Sequence, residues 1–397
     1  MKNQNNIIKV LHLGFSDSIK SGSSLSMMRI HNYLRNRNIN SKVLVIKKSS
    51  NDKNIIEFNF YNKVLNYIKR LMMFLFKKIE NVNNLNIHRS YNYFDNNYLL
   101  NIINNSKYNL IHLHWIHGEM ISTSDIMKIN KPIIWTLHDA WINNPSVHAI
   151  IKKKKIRSSI KFFDKYFYSK KKQFIKKKNI FYISPSTELY KLCIKKIKKN
   201  KIFYIPHNIN NSFKKIKINK NLFNLKTIER NILFFSYPES DSYVKGNDLF
   251  HNILLKLSKE KNNYNIIICG KKNNIFKNTS NIRISYTGHL NETKLNKLYN
   301  SVDLLISCSR FESFSQTVFE AKKCKLPIIS FKVGGMIDAA NNNYNIKLIE
   351  CYNYNKMTNE IIKFFNKNKK FEKKNNKIKK NNVIKSNYIS IYNKALI

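Results

Sequence analysis

The sequence predicts an α/β protein made of two successive parallel-sheet domains. Short, nearly continuous apolar runs recur along the chain, as expected for strands buried on both faces of a sheet. Each run is followed by a segment with helical spacing, the alternation of βαβ units. The alternation restarts just after Tyr204-Ile205-Pro206-His207-Asn208, so two sheets fit better than one large one.

The first strand is expected at Ile7–Leu13 (IIKVLHL), followed by a Gly/Ser loop from Gly14 to Ser24. A helix over Leu25–Leu34 and a strand at Lys42–Ile46 complete an opening βαβ unit. Further strands are expected at Leu110–His114, Pro132–Leu137 and Ile180–Ile183, with a polar, weakly periodic helical stretch over Asn51–Asn105. In the second half, strands are expected at Ile232–Ser236, Asn265–Cys269, Ile282–Tyr286, Leu304–Ile306 and Pro327–Ser330. A helix over Asp248–Leu257 is entered through Lys245-Gly246, and Val383–Leu396 reads as a closing helix behind a solvated Lys/Asn run at Asn366–Asn382. The organisation expected is an N-terminal domain over 1–207, a C-terminal domain over 208–375 and the closing helix over 376–397.

At 397 residues and 43% hydrophobic, the chain can bury two substantial cores and is not of disordered composition. The formal charge of +49 invites a nucleic-acid or anionic-membrane partner. The cations are mostly Lys, accompanied by many Asn and Ile and by only 8 Gly, which points to compositional drift as the origin. Whatever its origin, that charge attracts acidic lipid headgroups, at about 1 kcal/mol per Lys near the surface. The basic, aromatic stretch Ile151–Lys178 (IKKKKIRSSIKFFDKYFYSKKKQFIKKK) is the preferred seat of such binding, with a merely solvated helix as the alternative. Single-strand nucleic-acid binders mix the same residue types. Five scattered cysteines give neither a disulfide framework nor zinc spacing, consistent with a reducing cytosol. The apolar run Leu71–Phe76, flanked by Lys69, Arg70, Lys77 and Lys78, is far shorter than the roughly 20 residues a span needs.

The residues best placed for chemistry are Glu312 and Glu320. Glu312 follows a strand and Glu320 lies in the next helix. Such a junction offers free N–H groups and a positive dipole end to a phosphate. A carboxylate one or two turns in can accept both hydroxyls of a ribose, although a capping Glu and a surface Glu would show the same spacing. Lys245, after a strand and before Gly246, is a cation suited to a leaving diphosphate. His138 ends a strand in PIIWTLHDAW, at the edge where α/β sheets place ligands.

Ser301–Ala340 (SVDLLISCSRFESFSQTVFEAKKCKLPIISFKVGGMIDAA) resembles the signature region of the family 4 glycosyltransferases, which are retaining enzymes of GT-B fold. Their two glutamates correspond to Glu312 and Glu320, with Pro327 and Gly334-Gly335 following in place. The resemblance extends over most of the chain, nearest to members that build bacterial surface polysaccharides of the colanic-acid, capsule or O-antigen type. It implies that Glu312 contacts the donor sugar, Glu320 holds the nucleotide ribose, and backbone near Ser313 and Phe314 faces the donor. Lys245 matches the family's Lys-Gly segment, and the family's active-site His maps onto His138. An Arg common a few residues before that Lys is missing from Ser236–Val244. Paired glycines after the first strand are reduced to Ser21-Gly22, expected to approach the diphosphate.

Asp139, His114 and Trp115 are implied to shape or bind the acceptor. No metal is expected: the histidines near His114 lack an evident carboxylate or Cys partner, and no Asp-x-Asp occurs. The implied activity is metal-independent transfer of a sugar from a UDP- or GDP-sugar to a saccharide, lipid-linked acceptor, retaining configuration. The implied setting is the inner face of the cytoplasmic membrane, with no nucleic acid involved. Two rival readings are a basic nucleic-acid-binding protein and a catalytically silent GT-B protein.

Overall fold

The computed structural model describes residues 7–79, 88–150, 161–177, 179–218, 223, 230–237, 239–272, 275–341, 343, 345–367, 371 and 386–397. The first half contains β1 (Lys9–Ser16), α1 (Gly22–Arg35), β2 (Asn40–Lys47), β3 (Ile55–Glu57), α2 (Phe60–Ile79) and α3 (Asn97–Asn105). It continues through β4 (Leu110–Leu113), α4 (Thr123–Lys128), β5 (Ile133–Thr136), α5 (Lys161–Ile175), β6 (Ile180–Ser184), α6 (Thr187–Cys193) and β7 (Ile202–Tyr204). The second half opens with β8 (Arg230–Ser236), α7 (Glu239–Lys245), α8 (Asn247–Leu257), β9 (Tyr264–Gly270), β10 (Ile282–Gly288) and α9 (Glu292–Ser301). It ends with β11 (Leu304–Ser307), α10 (Gln316–Lys323), β12 (Ile328–Phe331), α11 (Gly335–Ala340), β13 (Ile346–Ile349), α12 (Tyr354–Asn366) and α13 (Tyr388–Leu396).

The strands form two parallel sheets, one of seven in the order β3-β2-β1-β4-β5-β6-β7 and one of six in the order β10-β9-β8-β11-β12-β13. This is the two-domain α/β architecture, GT-B, that the sequence predicts. Strand order reverses between β1 and β4 in one sheet and between β8 and β11 in the other. Loops leaving the carboxyl ends of such neighbours diverge, which opens a crevice at each switch point.

Apolar strand runs explain the cores. Leu11, Leu13, Ile111, Leu113, Ile133 and Trp135 are buried on one side of the first sheet. Ile232, Phe234, Ile266, Ile268, Leu305 and Ile329 belong to the core of the second. α13 returns to the first sheet, where Tyr388, Ile391, Tyr392 and Ala395 pack with Val10, Ile30, Leu110, Ile134 and Ile183. Its start is fixed by Asn387, whose side chain accepts from the Ser390 backbone N–H at 2.8 Å. Val383 and Ile384, included in the expected helix, lie outside the described residues, as does most of the Lys/Asn run.

The structure departs from the sequence reading in two ways. The short strands β3, β7 and β13, all at sheet edges, were not expected. The stretch expected to be polar and weakly periodic contains α2, a 20-residue helix with many exposed apolar side chains. Among the described residues no helix is long and apolar enough to cross a membrane. All five cysteines are free and buried.

Because Ile391 is 3% exposed between α13 and the first sheet, Ile391→Ala should lower unfolding stability by about 2–5 kcal/mol. A urea melt checks this; no shift would mean that α13 contributes no packing.

Candidate active site

The two switch points are joined by polar contacts between the halves. α1 presents Gly22, Ser26 and Arg29 along one stripe, spaced by four and three residues. The Gln316 side-chain N–H donates to Gly22 O at 2.5 Å and to Ser26 Oγ at 2.7 Å. Arg29 donates to Gln316 Oε1 at 2.7 Å, Glu292 Oε1 at 2.8 Å and Glu320 Oε1 at 3.0 Å. Ser313 Oγ donates to His138 O at 2.7 Å, and Thr187 N–H to Asp338 Oδ2 at 2.8 Å. Glu188 accepts from Gly334 N–H, which closes the same seam.

Glu320 is 3% exposed, on α10, and its other oxygen accepts from Tyr299 at 3.2 Å. Burial raises its pKa, while the Arg29 charge and hydrogen bond oppose that rise. An ion pair of this kind costs desolvation to form, but leaving one partner alone costs more. Arg29 escaped the sequence reading. The signal that could have found it is the polar stripe Gly22–Ser26–Arg29 on a helix whose Met27, Ile30 and Leu34 are buried.

Glu312 and Lys245 also meet: Lys245 Nζ donates to Glu312 Oε1 at 2.7 Å, and Ser309 Oγ to the same oxygen at 2.9 Å. The cleft beside them is lined by Tyr237, Lys245, Ser307, Ser309 and Thr317. Their loop is held by crowded glycines. A Cβ on Gly334 (φ +47°) would lie 1.5 Å from Glu312 O, and one on Gly335 2.0 Å from Phe314 O. Gly246 (φ +76°) would meet Cys308 O at 2.1 Å. No side chain fits at these positions, so the Glu312–Phe314 backbone is pinned. Ser315, which enters α10, has φ +71°, a left-handed strain typical of functional turns. The Phe314 side chain is itself buried and stacks on Phe319 at 4.2 Å.

Gly22 is exposed, and a Cβ there would meet only Gln316 Nε2 at 3.9 Å. Protein packing therefore does not demand glycine at this position. Ser21 is the extended residue before α1, its hydroxyl 3.0 Å from that of Ser23. Arg310, near Glu312, is occupied elsewhere, bound to both Asp248 oxygens at 2.7 and 2.6 Å.

On the N-terminal side a column of imidazoles climbs the first sheet. His12 and His114 are paired through ring nitrogens at 3.0 Å, and His114 and His138 at 3.1 Å. His112 meets Tyr392 Oη at 2.7 Å and Thr136 Oγ1 at 2.8 Å. His138 tops the column, stacked on His207 at 5.2 Å. Burial pushes the pKa of His138 down to about 4, with Asp139 opposing, so this ring is neutral near pH 7. His114, which is buried, lines a second pocket on the N-terminal side together with Trp115, His138 and Asp139.

The structure corrects one expectation: these histidines do have a carboxylate neighbour. Asp139 Oδ2 lies 2.5 Å from His148 Nδ1 and 3.5 Å from His117 Nε2. Burial works against ionisation of Asp139, yet His148 and His117 hold its carboxyl well below the ordinary carboxylate range. His117, Asp139 and His148 offer atoms close enough to ligate one ion, as do His12, His112 and His114. Oδ1 of Asp139 accepts from Trp141 N–H at 2.9 Å, so much of this carboxylate is already engaged by protein.

Residues 218–383 match the family model described as glycosyl transferases group 1. This likeness to the family lies in the C-terminal half of the chain. The sequence match is thus confined to that half, whereas likeness in fold spans the whole chain. Sucrose-phosphate synthase from Thermosynechococcus elongatus is similar at 14% identity and TM-score 0.64, over 90% of both chains. HepE of Anabaena, solved with UDP and glucose, is similar at 14% identity and TM-score 0.60, over 91% of both chains. WaaG, a glycosyltransferase involved in lipopolysaccharide biosynthesis, is similar at 12% identity and TM-score 0.57, over 89% of both chains. No curated protein matches the chain.

Two predictions follow from this geometry. Arg29→Ala leaves the Glu320 carboxylate without its cation and should cost about 3–5 kcal/mol in a denaturant melt; a change near zero would show the pair to be idle. In His12, His31, His112, His114, His117, His138 and His207 burial pushes the pKa below the ordinary histidine value of about 6.5. The unfolded chain therefore binds more protons, and stability present above pH 6.5 should be lost as pH falls toward the His138 value of about 4. A melting temperature unchanged between pH 7 and 5 would contradict this.

Proposed function

We propose that the protein is a nucleotide-sugar-dependent glycosyltransferase that moves a sugar from a UDP- or GDP-sugar to a saccharide hydroxyl. The observation that carries the reading is the placement of Glu312, Lys245 and Glu320 at the switch point of the second sheet, facing His138 across the seam. The group 1 match and the fold likeness to HepE, solved with UDP-glucose, support it.

In this reading Glu320 accepts the ribose hydroxyls. A carboxylate has about four acceptor sites, so Arg29 and Tyr299 leave capacity for a ligand. Arg29 is a positioning residue that keeps the buried Glu320 ionised and oriented. Lys245 leaves Glu312 for the diphosphate as charge develops on the leaving group, and Glu312 turns to the donor sugar hydroxyls. The bond from the anomeric carbon to the diphosphate breaks, a bond to the acceptor oxygen forms, and the acceptor proton passes to the departing phosphate. The resemblance of the Glu312–Glu320 segment supports retention of configuration and independence of metal. His138, neutral near pH 7, donates to or accepts from a hydroxyl of the reacting sugars, with Trp115 and Asp139 shaping the acceptor side. A lipid-linked acceptor in surface polysaccharide synthesis, met at the inner face of the cytoplasmic membrane, is the setting that the resemblance and the WaaG likeness support.

The test is a panel of UDP- and GDP-sugars, read by donor hydrolysis and by thermal shift. At a donor concentration a hundred times Kd, the folded state gains about 2.7 kcal/mol, a rise of several degrees. One donor should give it, and Lys245→Ala should cut turnover about a hundredfold or more. No response to any donor contradicts the reading. Salt-sensitive nucleic-acid binding that survives Glu320→Ala would favour the rival drawn from the +49 charge.

A further inference from the structure

Helix α2 is built inside out. Among its described side chains the buried positions are Asn62, Asn66, Lys69 and Met73, a stripe at helical spacing that is polar in three of four places. The opposite face carries Phe60, Tyr67, Leu71, Met72, Phe74 and Leu75, exposed by 82%, 64%, 46%, 50%, 53% and 51%. At 3.6 residues per turn, these exposed apolar side chains span an arc of roughly 160° opposite the polar stripe. The inward polar groups are satisfied by the protein. The Asn66 amide donates to Gly118 O and Glu119 O at 3.0 Å each, and Lys69 Nζ to Asp95 O at 2.6 Å. A surface helix of a water-soluble domain normally turns its apolar stripe to the core. Here the polar half anchors the helix, and the apolar half faces outward.

We propose that α2 docks the protein on an anionic lipid bilayer, lying in the headgroup plane with this face inserted. A contiguous apolar face on one helix marks an interaction site, and its charge setting selects the partner. Arg70 is exposed at the margin of the face, and the sequence continues with Lys77 and Lys78. A second copy of the chain would bring +49 against +49, whereas acidic headgroups complement that charge. The stretch expected to bind lipid from sequence lacks such a face among its described residues. Phe167, Phe174 and Ile175 of α5 are buried, and Lys171 is fully buried, 3.2 Å over the Trp141 ring. Ile151–Ile160 lie outside the described residues.

Docking through α2 would also orient the acceptor side of the cleft. Asn66 holds the loop that follows Trp115 and His117, and Arg70 lies 5.2 Å over the Phe15 ring, which meets the Trp115 edge at 5.8 Å. The inference rests on the proposed function only for this consequence; docking itself stands on the helix.

The test is sedimentation of the full chain with vesicles of phosphatidylglycerol and phosphatidylcholine, against phosphatidylcholine alone, for the native protein and for L71D/F74D. Both substituted side chains are exposed and neither is assigned a role in donor chemistry, so the fold should be kept; a denaturant melt checks this. The native protein should pellet with the anionic vesicles, and the variant should partition about tenfold or more weakly. Donor hydrolysis in the absence of lipid should be equal in the two, which separates docking from catalysis. Equal vesicle binding by native and variant chains overturns the proposal. So does a native protein that ignores vesicles but sediments as a dimer that L71D/F74D dissociates.

Discussion

The buried carboxylate of Glu320 is the constraint around which the two halves are arranged. An ionised group at this depth is costly unless a cation is held against it. The cation comes from the other half of the chain, by way of Arg29 on α1. Because Arg29 also bonds Gln316 and Glu292, one guanidinium ties the opening helix of the first sheet to two helices of the second. The contacts of Ser313 with His138 and of Thr187 with Asp338 lie along the same seam. The cleft is thus a closed arrangement in which the proposed donor groups hold one another until a ligand replaces those contacts.

Rigid and adjustable parts are divided cleanly around that seam. Gly246, Gly334 and Gly335 stand where a single Cβ would strike backbone, so the loop carrying Glu312 and Phe314 has little freedom. The histidine column is the rigid counterpart on the first sheet, its rings kept neutral by burial and joined ring to ring. What can move is the long side chain of Lys245, which now donates to the Glu312 carboxylate. Exchanging that carboxylate for a phosphate oxygen is a change of partner and not of fold.

Much of this was legible in the sequence, for physical reasons that differ from place to place. Apolar runs such as ILFFS and NIIIC declare buried parallel strands, and β8 and β9 appear where they stand. The positions of Glu312 and His138 were legible because each follows a strand end, whereas Lys245 closes α7, a helix between β8 and α8 that the sequence reading did not expect. Arg29 was not legible, since a charged residue among Met27, Met28 and Ile30 looks like a solvent position until the second sheet is placed against it. The Asp139 contacts were hidden because His148 lies nine residues on and must fold back. α2 was not legible either: its stretch reads as polar and weakly periodic, yet it folds into a helix whose apolar side chains are largely exposed.

The central claim is that Arg29 and Glu320 act as one unit in holding the donor. A double-mutant cycle with Arg29→Ala and Glu320→Ala, read as the Kd of UDP and of GDP by calorimetry, tests it most directly. The account predicts that, for the nucleotide that binds, either single substitution weakens binding nearly as much as both together. Losses that add to within about 0.5 kcal/mol, as for independent sites, would contradict it.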